Sequence, residues 1–267
     1  MARKQASKPG PLAVSGSSAL VPITGSERAA AKVHGSDGMM EREQGTTLVT
    51  GLAYAAGEHT LTAAEIFFVE EAKPRAEGPW LHEADKVAWR DEASGFECIM
   101  LRARDGGYLS GYVGVPKGHP LWGWEHEAVT PELGIEVHGG LTYSAICEDG
   151  PSPERRIIRE AQRICHVPRT PPRYEPLRHA SDYCVEDAHA WWFGFDCNHV
   201  YDLVPGARRG ERFLGAETGG VYRDDAYVVR EILHLAAQLR AIADGKDAPS
   251  RDDAPIPPIG LDPRWAG

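Results

Sequence analysis

Two short stretches of this chain gather side chains able to bind a metal ion or move a proton. The first is Glu136-Val137-His138-Gly139-Gly140-Leu141-Thr142-Tyr143. On a strand, residues two apart share a face, so Glu136 and His138 project together. The glycines allow a sharp turn and the close approach of a ligand to the backbone. A carboxylate and an imidazole at a strand end suit metal ligation or proton transfer. The second stretch runs from Trp191-Trp192-Phe193-Gly194-Phe195 into Asp196-Cys197-Asn198-His199-Val200-Tyr201-Asp202. Asp196, His199 and Asp202 recur every third residue, which on a helical turn places them along one side. Such a set holds a divalent ion, or forms a base with its orienting carboxylate.

Each stretch also has a plain structural interpretation: a strand-ending turn with an exposed Glu136, and a short helix capped by Asp196. In the functional interpretation, His138, Asp196 and His199 are the metal ligands. Zinc or manganese fits these mixed nitrogen and oxygen donors. His138 also counts among the catalytic candidates, with Glu136 or Asp202 as base or orienter. His119, in the rigid Gly118-His119-Pro120 loop, joins Gly139 and Gly140 as a ligand-contact candidate. Cys197 lies beside His199 in sequence, but a buried, inert thiol is the better expectation for it. The resulting expectation is a metal-assisted hydrolase acting on a small polar or nucleotide-like substrate. Its rivals are a non-catalytic phage or host interaction protein that sequesters a ligand or blocks a protein partner, and a metal-free transferase. The His138-Gly139 pair resembles one motif of ADP-ribosyl transferases. No P-loop, Gly-x-Gly-x-x-Gly, Gly-x-Ser-x-Gly or His-Glu-x-x-His occurs, so no nucleotide cofactor is expected.

The elements that must position these groups read as an α+β fold: an antiparallel twisted sheet packed against two or three helices. Val87–Trp89, Phe96–Leu101 and Tyr108–Val115 are β-prone runs. Gly95 and Asp105-Gly106-Gly107 separate them as hairpin turns do. Pro116 stops the third strand. Ile135–His138 and Thr142–Cys147 suggest a fourth and fifth strand, and Trp191–Asp196 a central one. Ser152-Pro153-Glu154 has the form of a helix start running to Ile164. Asp224 caps the clearest helix, in which Val228, Ile232, Leu235, Leu239 and Ile242 share a face and Gly245 ends the run. Both helices are expected on one side of the sheet. Residues 1–45 read as a flexible tail and 46–78 as a helical arm, because Thr62 and Glu65 have capping-box spacing. Residues 79–245 form the expected single domain, and 246–267 a C-terminal tail.

Composition narrows the function classes. The chain has 267 residues, 42% hydrophobic, with a formal net charge of −10. That charge makes general nucleic-acid binding unexpected, since phosphate contacts draw on Lys and Arg. No apolar run approaches the length of a membrane span, and no secretory signal is evident. Cys98, Cys147, Cys165, Cys184 and Cys197 lack paired spacing, which suggests reduced thiols and a cytoplasmic setting.

Five blocks in order carry a resemblance: Asp85-Lys86-Val87-x-Trp89, Gly111-Tyr-Val-Gly-Val-Pro-x-Gly-His-Pro120, Val137-His-Gly-Gly-Leu-Thr-Tyr143, Trp191-Trp-x-Gly-Phe-Asp-Cys-x-His199 and Tyr222-Arg-Asp. From about Glu83 to Leu239 the chain resembles a family of uncharacterised bacterial and bacteriophage proteins. Where that family reads Asp-Cys-Ala-His-Ala-Gly-Asp, this chain departs at Asn198, Val200 and Tyr201 and keeps Asp196, His199 and Asp202. The resemblance implies a bacterial or phage origin and a cytoplasmic setting, and it points to no particular activity.

Overall fold

The computed structural model describes residues 32–147, 157–165, 190–207 and 220–250. The expected helix start at Ser152 and most of both tails lie outside the described residues.

The expected meander is present. Strands β6 (Lys86–Arg90), β7 (Glu97–Arg102) and β8 (Leu109–Val115) run antiparallel, with Trp89 opposite Cys98 and Ile99 opposite Tyr112. Strand β10 (Trp191–Asp196) pairs with β8, placing Phe193 opposite Val113, and β9 (Tyr143–Ile146) closes that edge. All seven residues of β8 are buried, as a central strand covered on both faces requires.

The 46–78 arm is corrected from helix to sheet. Strands β3 (Thr46–Thr50) and β4 (Ala53–Ala56) both pair antiparallel with the long β5 (His59–Val69). They act as one strand interrupted at Gly51, opposite the point where β5 shifts its register against β6. Ala56-Gly57-Glu58-His59 supplies a tight turn, and β-branched and aromatic side chains from Thr60 to Val69 favour the pleated surface. Glu65 sits buried within that strand, so its spacing from Thr62 signals no cap. The expected 1–45 tail also contributes to the sheet, through β1 (Val33–His34) on β4 and β2 (Met39–Glu43) on β3.

The long helix α2 (Asp225–Ala243) begins where the sequence places it. The Asp224 carboxylate accepts from the Tyr227 N–H at 2.8 Å, and Gly245 ends the run with φ +66°. Val228, Ile232, Leu235 and Leu239 are fully buried with Val113, Phe193 and Phe195. Gly111 permits that approach, because a Cβ there would lie 2.5 Å from Ile232 Cγ1.

The second helix does not share α2's side of the sheet. Short α1 (Ile157–Glu160) and Ala161 pack against Leu48 and Phe67, which alternate with the α2-facing Val49, Ile66 and Phe68. A period of two puts alternate residues on opposite faces, so the helices sandwich the sheet. The cysteine expectation is also corrected at one pair. Cys147, just after β9, and Cys165, after α1, have Cα atoms 5.3 Å apart and are joined as a disulfide. Cys98 and Cys197 are free and buried. Among the described residues, no helix is long and apolar enough to cross a membrane.

One buried charge network sets the start of α2. Arg102 Nε donates to Asp85 at 2.7 Å and Nη2 to Glu83 at 2.7 Å. Glu83 also accepts from the Tyr222 hydroxyl at 2.6 Å and from the Asp225 N–H at 3.2 Å. Buried charges persist only when paired in this way. The network therefore anchors Tyr222 and Asp225, and with them the chain that carries Arg223 and Tyr227.

Candidate metal centre

The segment leading to His138 is not the fourth strand that its pattern suggests. Side chains of α2 take the place of a neighbouring strand. Gln238 accepts from the Glu136 N–H and donates to the Glu136 carbonyl, each at 3.1 Å. Glu231 Oε2 accepts from the His138 N–H at 2.9 Å. Tyr227, Glu231 and Gln238 are four and seven residues apart, so they lie along one helix face. The chain then turns through Gly139, where φ is +65°. A Cβ on Gly139 would sit 2.0 Å from His199 Cε1, so glycine is needed both for the turn and for the imidazole packed on it.

His199 and Asp202 come from the turn after β10, closed by the Asp202 N–H donating to the His199 carbonyl at 2.9 Å. The three side chains meet in the interior, where His138 and Asp202 are fully buried and His199 nearly so. His138 Nε2 lies 2.8 Å from Asp202 Oδ2. His199 Nδ1 lies 3.3 Å from each of those atoms. Ligands at about 2.0–2.1 Å from a zinc-like ion stand about 2.9–3.4 Å from one another, depending on coordination number. The donor set and its spacing both fit a small divalent cation.

The surroundings orient these donors. The Tyr227 hydroxyl is 2.9 Å from His138 Nδ1, and Arg223 Nε donates to Asp202 Oδ1 at 3.0 Å. Asp202 Oδ2 is left for the shared space and also accepts from the His199 N–H at 2.9 Å. Burial alone would raise the Asp202 carboxyl. Hydrogen bonds from His138 and His199, the His138 charge and the Arg223 hydrogen bond outweigh burial and hold it well below the usual carboxylate range. Burial first, and then the charge of Glu231, push the Tyr227 phenol up, so it remains a hydroxyl. With an ion bound, His138 would donate Nδ1–H to Tyr227 and turn its Nε2 lone pair inward. Without one, a proton on Nε2 would join His138 to Asp202. Each tautomer is held by the same partner, the outer-shell arrangement expected around ligating histidines.

The other expected site residues lie elsewhere. Asp202, and not the expected Asp196, completes the donor cluster with His138 and His199. Asp196 accepts from Ser110 Oγ at 2.6 Å and Thr142 Oγ1 at 2.9 Å. The reason is strand parity: Phe193, Phe195 and Cys197 face α2, so Asp196 faces the opposite side with Trp192. His119 is a structural pin, its Nε2–H donating to the Leu239 carbonyl at 2.9 Å and Nδ1 accepting from the Leu121 N–H at 3.1 Å. Burial lowers its pKa, which keeps the ring neutral. Glu136 is exposed. Gly140 has φ +88° and open space where a side chain would project. Cys197 is buried, and burial pushes its thiol well up, as expected of an inert cysteine.

Sequence reasoning missed Tyr227, Glu231 and Arg223. The available signal was a polar stripe, Tyr227, Glu231 and Gln238, running along an otherwise apolar helix. A cavity of about 560 Å³ lies between the β7–β8 turn and residues 198–207, lined by Tyr108, Asn198 and Val204 among others. It approaches the cluster through Asn198, but none of the three donor residues lines it. Comparison with family models, curated proteins and solved structures gives no match to this chain.

Proposed function

We propose that the protein is a metal-assisted hydrolase whose divalent ion is held by His138 Nε2, His199 Nδ1 and Asp202 Oδ2. The observation that carries this is the triangle those atoms make, with sides of 2.8, 3.3 and 3.3 Å. Three protein ligands leave coordination positions open, the pattern of catalytic rather than structural ions. A zinc or manganese ion there would polarise water for attack on a small polar substrate. Tyr227 fixes the ring of His138, Arg223 turns Asp202 so that Oδ2 faces inward, and Gly139 gives His199 its space. The resemblance to bacterial and phage proteins is part of this proposal as an expected origin.

The test is hydrolysis of p-nitrophenyl phosphate and p-nitrophenyl acetate by chelator-stripped protein, with and without added zinc or manganese. Metal-dependent turnover that His199→Ala abolishes is the expected result. Absence of metal-dependent turnover on either ester would remove the hydrolase assignment.

A further inference from the structure

Two guanidinium groups are gathered on one phenol beside the His138/His199/Asp202 cluster. The Cζ atoms of Arg223 and Arg230 lie 4.9 and 5.2 Å from the centroid of the Tyr227 ring, whose hydroxyl meets His138. Stacking a cation on an aromatic face is only a weak gain at an exposed site, and the two like charges repel. Among the described residues, Arg223 is ion-paired through Nε alone, to Asp202 at 3.0 Å, while exposed Arg230 has no carboxylate partner. One arginine with a single ion pair and one with none among the described residues stand out on a chain of net charge −10.

Open space and an aromatic face also lie next to the cluster residues in the chain. Beyond Gly140 no heavy atom lies within 4 Å of where a side chain would project. Half-buried Tyr201 stacks on His199 with ring centroids 6.0 Å apart and an angle of 16° between planes. The guanidinium fork matches oxyanions bidentately. One arginine fork is enough for the two oxygens of a carboxylate, whereas the several oxygens of a phosphate can be shared between two forks.

We propose that Arg223 and Arg230 form an anion site at the rim of the cluster that takes the phosphate group of a small ligand. Calling that ligand the substrate rests on the metal-centre reading; the anion site itself does not. Free phosphate and a phosphate monoester share this chemistry.

The test is calorimetric titration of the full chain, stripped of metal by chelator, with inorganic phosphate, AMP and adenosine. Phosphate and AMP should bind and adenosine should not. Arg230→Gln should weaken both anions at least tenfold, and Arg230→Lys less. Tighter binding of AMP than of phosphate identifies the ester, and equal affinity the free ion. Adenosine binding as tightly as AMP, no binding of either anion, or unchanged affinity in Arg230→Gln would each overturn the site. Because the protein is metal-free, these outcomes are distinct from failure of the hydrolase reading. Anion binding by a protein that takes up no metal would sink that reading alone.

Discussion

Gly139 and Gly140 are adjacent, both have positive φ, and they differ in what a methyl group would meet. At Gly139 the new Cβ would fall 2.0 and 2.1 Å from His199 Cε1 and Nε2, with φ at +65°. At Gly140, with φ +88°, it would meet nothing within 4 Å. Alanine in left-handed backbone costs roughly 1–2 kcal/mol, a penalty both variants share. Overpacking adds typically about 1–3 kcal/mol, and only Gly139→Ala incurs it. Gly139→Ala should therefore lose about 2–5 kcal/mol and Gly140→Ala about 1–2 kcal/mol in urea unfolding of chelator-treated protein. His199 can escape the methyl only by leaving its place beside His138 and Asp202, so Gly139→Ala should also lose affinity for zinc or manganese while Gly140→Ala keeps it. Equal destabilisation of the two variants with equal metal affinity would refute the packing of His199 on Gly139.

Leu235 is fully buried where α2 meets the sheet. Leu235→Ala should cost about 2–5 kcal/mol in the same unfolding assay, and an unchanged midpoint would mean that α2 does not pack on this sheet. Lys86 is buried, its Nζ donating to the Glu160 carbonyl at 2.5 Å, and burial lowers its pKa to about 8. Between about 8 and the ordinary 10.5, the unfolded chain holds a proton that the folded chain has released, so the cost of burying Lys86 falls as pH rises through that range. Lys86→Met should accordingly be as stable as wild type or more so at pH 7, and should lose that advantage on titration towards pH 10. An advantage for Lys86→Met that grows with pH would contradict the sign.

The parts of the fold legible in the sequence were those set by local chemistry. Gly95 and Gly106-Gly107 marked the hairpins of β6–β8, and Asp224 and Gly245 bounded α2. What escaped was decided at long range. Thr62 and Glu65 imitate a helix cap, but pairing with β3, β4 and β6 makes that segment a strand. The peptide at Glu136 finds its partners on Gln238, and nothing near residue 136 announces it. His138, His199 and Asp202 were all visible as metal-binding or proton-moving types, and the structure brings them together. Asp196 could have been set aside from the pattern alone. If Phe193 and Phe195 face the helix, strand parity turns Asp196 away, and the helical spacing that links His199 to Asp202 starts only after the strand ends.

The most direct measurement is metal content. Untagged wild-type protein, dialysed after incubation with zinc or manganese, should retain about one ion per chain by elemental analysis, the mixed nitrogen and oxygen donor set being suited to either. His199→Ala and Asp202→Ala should lose it, and Asp196→Asn, altered on the opposite face of the sheet, should keep it. No retained ion in wild type, or loss in Asp196→Asn with retention in Asp202→Ala, would contradict the assignment of His138, His199 and Asp202 as the metal centre.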